Sequence, residues 1–160
     1  MRPLGRIGIR AERSEPRMSL LTRDEQQTLM TMWSIGRSLL MFGGHLPDND
    51  EFTLSLLNND EALAVNQKAT SSKQLFSRGS QIAWIAETKG STARYLAVFN
   101  IGDKTAEEIK VNWSDLGLSG NCAIHDLWAK KEFGASVDGF TLAIPPHASG
   151  FYKLTPLKGK

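Results

Sequence analysis

Between Leu21 and Gly44 the chain reads LTRDEQQTLMTMWSIGRSLLMFGG, and its apolar residues pass from helical spacing to a continuous run. Leu29, Met32 and Trp33 fall on adjoining positions of one helical face, widened by Met30 and Ile35, while Arg23, Asp24, Gln26 and Gln27 stay on the wet side. Thr22 and Glu25 have the spacing of a capping box, which predicts a helix that starts at Thr22 and ends near Gly36. The run Leu39 to Phe42, closed by Gly43-Gly44, does not alternate, so it is expected to be a short strand covered on both faces, as in a parallel sheet. A very short strand around Leu4, followed by a long polar loop, precedes the helix. A further short helix is expected from Phe52 to Leu57, with Asp48, Asn49 and Asp50 as candidate caps, and a second turn capped by Asp60 runs through Leu63 and Val65. Residues 1–67 therefore read as strand, loop, helix, strand, helix, an α/β order.

The texture then changes. Residues 68–73, KATSSK, are small and polar and are expected to link two domains. Beyond them come short runs of β-type residues: Gln74 to Phe76, Ile82 to Glu87, Arg94 to Asn100, Glu108 to Trp113, Ala123 to Trp128, Phe140 to Ile144 and Gly150 to Leu154. Glycine, aspartate and proline turns punctuate them, and the spacing predicts an antiparallel β-sandwich over residues 74–160. Ile82, Trp84, Leu96, Val98, Ile109, Val111, Ile124, Leu127, Leu142 and Ile144 are its expected core. Such a unit has enough apolar positions to fold alone. Two parallel strands and two helices do not, because both faces of a parallel sheet need cover and its open edges invite association.

Composition narrows the partners. A formal net charge of +2 over 160 residues, with both signs mixed along the chain, gives no electrostatic case for nucleic acid or an anionic membrane. No apolar run approaches the roughly 20 residues of a membrane span. The arginine-rich opening, MRPLGRIGIRAERSEPR, carries Glu12 and Glu15 and lacks the apolar core of a secretory signal, so it reads as a polar loop. The single cysteine, Cys122, excludes an internal disulfide and is expected as a small buried thiol.

The residues that could do chemistry are few. His45, His125 and His147 match no metal-ligand spacing, and structural or surface roles are expected for all three. No nucleophile elbow, phosphate loop or dinucleotide fingerprint occurs, and nothing calls for a cofactor. Glycoside hydrolysis needs two carboxylates flanking one bond, yet Asp48 and Asp50 have an ordinary capping task and Asp126 has no identifiable partner. Trp84, Trp113, Trp128, Tyr95 and Tyr152 would suit a sugar-stacking surface only if several were exposed in a flat row; strand aromatics more often build the core.

At this point several longer stretches become familiar. The helix-to-glycine stretch quoted above, FTLSLLNNDEALAVNQ (52–67), LAVFNIGDKTAEEIKVNWSDLGLSGNCAIHDLWAKKEFG (96–134) and IPPHASGFYKLTPL (144–157) together resemble, in order, the C-terminal part of the α-galactosidases (melibiases) of glycoside hydrolase family 27. The pieces that carry the likeness are the DEQ helix start, the LLxND and AVNQ pair, the VFN and DLW strands, and PPH before the last strand. The resemblance implies that residues 1–67 are the end of an eight-stranded TIM barrel, holding its last two strands and helices, followed by an antiparallel sandwich. It implies retaining hydrolysis of terminal α-galactosides by two aspartates about 5–5.5 Å apart. Both belong to earlier barrel strands, so neither role transfers to any residue here. The resemblance aligns only Met1 with the family's Trp-x-Asp-x-Asp-Met stretch. No catalytic, cofactor-binding or metal residue is therefore assigned; the expectation is a truncated chain, inactive alone, with self-association through an incomplete barrel. The alternative is a non-catalytic sugar-binding or docking sandwich. Relatives of full length are often exported, and the location of this protein is left open.

Overall fold

The computed structural model describes residues 4–7 and 17–157. Among the described residues, two of the three α-helices lie on one face of a six-stranded antiparallel sheet, the other packs against the first of them, and a two-stranded sheet covers the other face. A small ladder, β1 (Arg6–Ile7) with β2 (Arg17–Met18), precedes them. Leu4 is buried beside it, and the ladder takes the place of the short strand expected around Leu4. Met1, Glu12 and Glu15 lie outside the described residues.

Helix α1 (Arg23–Ile35) begins with the expected capping box: the Glu25 amide donates to Thr22 Oγ1 at 3.2 Å, and Glu25 Oε2 accepts from the Thr22 amide at 2.7 Å. Its buried face is not the most apolar one. Gln26, Met30, Thr31, Ser34 and Ile35 are buried, Leu29 and Trp33 are half-buried, and Met32 is exposed. The reason is a polar joint on the sandwich. Thr31 Oγ1 lies 2.9 Å from Ser149 Oγ and accepts from Trp128 Nε1 at 2.9 Å, and Thr28 donates to the His147 carbonyl at 2.8 Å. A face ranked by hydrophobicity misses a contact made of hydroxyls.

The stretch Leu39 to Phe42 corrects the expectation of a doubly buried strand. It forms none, and Leu39 and Met41 are 88% and 68% exposed, while Leu40 and Phe42 pack against Leu4, Met30 and Leu56. The cause is the lack of a strand to pair with among the described residues; the flanking ties are the Ser38 carbonyl, which accepts from Asn66 Nδ2 at 2.9 Å, and the His45 amide, which donates to the Arg6 carbonyl at 2.8 Å. Backbone groups without a ladder stay in water, and only one side of the segment is covered.

Helix α2 (Glu51–Leu57) is capped by Asp50, which accepts from the Thr53 amide at 2.8 Å. Helix α3 (Asp60–Lys68) starts one residue earlier than expected: Asn59, not Asp60, is the cap, accepting from the amides of Glu61 and Ala62 at 3.1 and 3.0 Å. The segment expected as a linker is also structured. Lys68 ends α3, and β3 (Ala69–Arg78) follows without a break, because Ala69 is buried under α3 and the strand is long enough to pair with β4 (Gln81–Thr88).

The remaining strands are β5 (Arg94–Asn100), β6 (Glu107–Asn112), β7 (Asn121–Asp126), β8 (Lys131–Val137), β9 (Gly139–Ile144) and β10 (Ser149–Pro156). The large sheet has the order β3-β4-β5-β10-β7-β8, and β6 pairs with β9 to close the sandwich. Leu96, Val98, Ile109, Val111, Ile124, Leu142 and Ile144 meet in the core between the sheets as expected. Leu127, Ile82 and Trp84 instead face the helices, and Ala83 and Ile85 take the inner positions of β4. Both faces of this sheet are covered, so alternation alone does not say which face is inner. Strand β8 was not expected. Nearly all of its residues are exposed and Gly134 lies in its middle, so it carries no apolar alternation.

Candidate functional site

Helices α1 and α3 cover only part of the outer face of the large sheet. Ile35, Ala62 and Val65 rest on Ala97, Phe99, Leu127 and Phe151, and where this apolar strip ends the outer face turns polar. Register sets the polar row: Lys153 on β10 is the partner of Tyr95 on β5 and of His125 on β7, and His125 is the partner of Glu132 on β8. With Glu61 and Ala64 of α3 as one wall, and Thr155, Ala123 and Leu127 alongside, these residues line an open groove of about 410 Å³.

His125 stands at its centre, held on both sides. Its Nε2 is 2.8 Å from Glu61 Oε2 and its Nδ1 is 2.9 Å from Glu132 Oε1, so the ring ties α3 to two strands of the sandwich. Desolvation alone would lower the imidazole's pKa. The hydrogen bonds and charges of Glu61 and Glu132 together outweigh that, and the pKa is raised above its ordinary 6.5. A second tie lies beside it, where Lys130 bonds Asp60 at the start of α3 and holds that carboxyl below its usual range. Lys153 Nζ, Thr155 Oγ1 and Tyr95 Oη have no hydrogen-bond or ionic partner among the described residues.

The clamp predicts a pH signature. A raised folded-state pKa means that the proton on His125 stabilises the fold fully below the unfolded value near 6.5, and that this contribution is lost as pH rises through the higher folded value. The wild-type melting temperature should fall across this window more steeply than that of His125→Gln. Parallel melting curves for the two proteins would show the clamp to be inert.

The other candidate residues have local structural tasks. Asp48 accepts from His45, whose Nδ1 is 2.9 Å away, and Asp50 caps α2. Asp126 Oδ1 accepts from the amides of Trp128 and Ala129, each at 2.9 Å, and so shapes the turn after β7. His147 pairs with Asp103 at 3.1 Å. Cys122 is buried in the core between the sheets, and burial pushes its thiol pKa up. Trp113, Tyr95 and Tyr152 are buried, and Trp84 and Trp128 are half-buried. Burial, with a lesser contribution from Asp126, pushes the Tyr152 phenol up to about 12. Among the described residues no group of three His, Cys, Asp or Glu side chains is arranged to hold a metal ion, and no helix is long and apolar enough to cross a membrane.

The family model for the α-galactosidase C-terminal β-sandwich domain matches residues 78–154, from the end of β3 into β10. The crystal structure of a GH27 β-L-arabinopyranosidase from Geobacillus stearothermophilus matches 100% of this chain and 37% of its own, with TM-score 0.92 and 40% identity. The matches support the C-terminal part of a glycoside hydrolase family 27 protein. The chain's likeness is to the C-terminal part of the family's α-galactosidases. The α-galactosidase of Coffea arabica is 29% identical over 140 residues, which are 85% of this chain and 36% of that protein. The structure of α-galactosidase I from Mortierella vinacea agrees in fold, with TM-score 0.78 over 84% of this chain and 36% of its own, at 23% identity. The chain thus spans little more than a third of the length of these relatives.

In this sandwich, sequence reading marked His125 but missed Glu61, Glu132 and Lys153. A signal was present. β7 and β10 place a charged or titratable residue at an outer position two residues from an apolar one, His125 before Leu127 and Lys153 after Phe151, and that change of polarity marks where the helical cover ends.

Proposed function

We propose that this chain supplies the non-catalytic C-terminal part of a retaining glycoside hydrolase: the sandwich, together with the last two strand-helix units of a TIM barrel as residues 1–67. The observation that carries the reading is the match to a family 27 glycosidase over the whole of this chain but only 37% of that protein. Retaining hydrolysis needs a nucleophilic carboxylate and an acid-base carboxyl about 5–5.5 Å apart across the scissile bond. Asp48, Asp50 and Asp126 are engaged in an imidazole contact, a helix cap and a turn, and Glu61 and Glu132 hold the two sides of one histidine. The chain by itself is therefore inactive. The apolar side formed by Leu4, Met30, Trp33, Leu40 and Phe42, with Met41 at its rim, is where the rest of a barrel would pack. Left uncovered, it would favour self-association.

The names of the relatives support a substrate of galacto configuration, an α-D-galactoside or a β-L-arabinopyranoside. The two sugars share a ring configuration and differ by the exocyclic hydroxymethyl group. The higher identity to the arabinopyranosidase favours the smaller sugar. The alternative of a sandwich that binds glycan through a flat row of aromatic rings has no support here, because none of the five aromatic residues considered is exposed. The purified chain should release no nitrophenol from nitrophenyl α-galactoside or β-L-arabinopyranoside. Turnover that survives repurification, and is lost on replacing a carboxylate of this chain, would overturn the reading.

A further inference from the structure

The groove between α3 and the outer face of the large sheet has no task in that reading. We infer that it is a binding site for a neutral polyhydroxylated ligand, of the size of one or two pyranose rings, separate from any catalytic centre. Three features carry this. Its volume, about 410 Å³, lies within the ~300–1,000 Å³ range of small-molecule sites. Its donors and acceptors are unspent: Lys153, Thr155 and Tyr95 have no partner among the described residues, and Glu61 and Glu132 each use one carboxylate oxygen on His125 and keep the other. Its charges oppose one another. A free anion would meet two carboxylates, a free cation would meet the Lys153 ammonium, and each would lose on the far wall what it gained on the near one. A sugar is complementary to both walls, since each hydroxyl donates to a carboxylate and accepts from the ammonium or a hydroxyl. The Tyr95 ring and Leu127 supply an apolar floor at the helical end.

The site does not depend on the chain's catalytic status, so its test reads binding rather than hydrolysis. Amide NMR spectra of the intact chain would be followed during titration with D-galactose and L-arabinose, with D-glucuronate and D-glucosamine as the anionic and cationic arms. The neutral sugars should shift the amides of Ala123, His125, Glu132, Lys153 and Thr155 and saturate in the millimolar range, and both charged sugars should bind more weakly. Lys153→Ala should weaken binding about tenfold by removing one charge-assisted hydrogen bond. Ala64→Trp, which fills the groove from the helix side, should abolish it while leaving amides distant from the groove unmoved. Absence of shifts, shifts confined to another surface, unchanged affinity in Lys153→Ala, or tighter binding of either charged sugar would each overturn the assignment.

Discussion

Replacing Trp113 with alanine should destabilise the chain by about 3–5 kcal/mol, the range for deleting a large buried aromatic. The residue is fully buried at the start of the 3-10 turn Trp113–Leu116, in the core between the two sheets. Its ring lies 5.5 Å from that of Phe140 on β9, and its Nε1 donates to the Ser136 carbonyl on β8 at 2.9 Å. One side chain thus joins the small sheet to the exposed edge strand of the large one, and alanine would leave both a cavity and an unpaired carbonyl. Trp113→Phe should restore most of the packing and lose only the hydrogen bond, about 1 kcal/mol. Urea unfolding followed by far-ultraviolet circular dichroism separates the two variants. An alanine variant within about 1 kcal/mol of wild type would show that the core collapses around the gap.

Asn100 should be nearly as sensitive although it is polar. It is fully buried at the end of β5; its Nδ2 donates to the carbonyls of Thr105 and Ile144 at 3.0 and 2.9 Å, and its Oδ1 accepts from the Gly102 amide at 2.9 Å. The side chain folds the β5–β6 turn and ties it to β9. Asn100→Leu removes the donors and leaves these backbone groups without partners, and a loss of about 2–3 kcal/mol is expected. Asn100→Asp gives a more discriminating result. Its carboxyl, aimed at two carbonyls in a buried site, would have a folded-state pKa above the unfolded value near 3.9. The penalty is therefore small below that value, grows as pH rises, and is complete above the folded pKa. Unfolding curves at acid and neutral pH would show this variant losing stability on neutralisation, and a pH-independent loss would count against burial of the charge.

What was legible in the sequence was local. Thr22 and Glu25 stand three residues apart, and their reciprocal bonds depend on nothing beyond the first helical turn, so the cap formed as read. The β5 alternation was legible because Leu96 and Val98 are inner residues of a strand bounded by a clear turn. Features set by distant neighbours were not. Leu39 to Phe42 has the composition of a buried strand, but burial on both faces is a property of the pairing partners and not of the segment. The choice of Thr31 over Met32 for the buried face of α1 depends on Ser149 and Trp128, far along the chain. The clamp on His125 likewise joins Glu61, 64 residues away, to Glu132, seven residues away across a strand pair. No local pattern records such a meeting.

The placement of β10 bears on how the protein is made. It is the last strand in chain order among the described residues, yet it lies between β5 and β7 near the middle of the large sheet. Until it leaves the ribosome, β3-β4-β5 and β7-β8 are two partial sheets with facing open edges, and the polar joint that seats α1 has no Ser149 to meet. Completion of the sheet must therefore wait until β10 is made, and the nascent chain passes through a stage in which its edges are exposed to whatever strand arrives first.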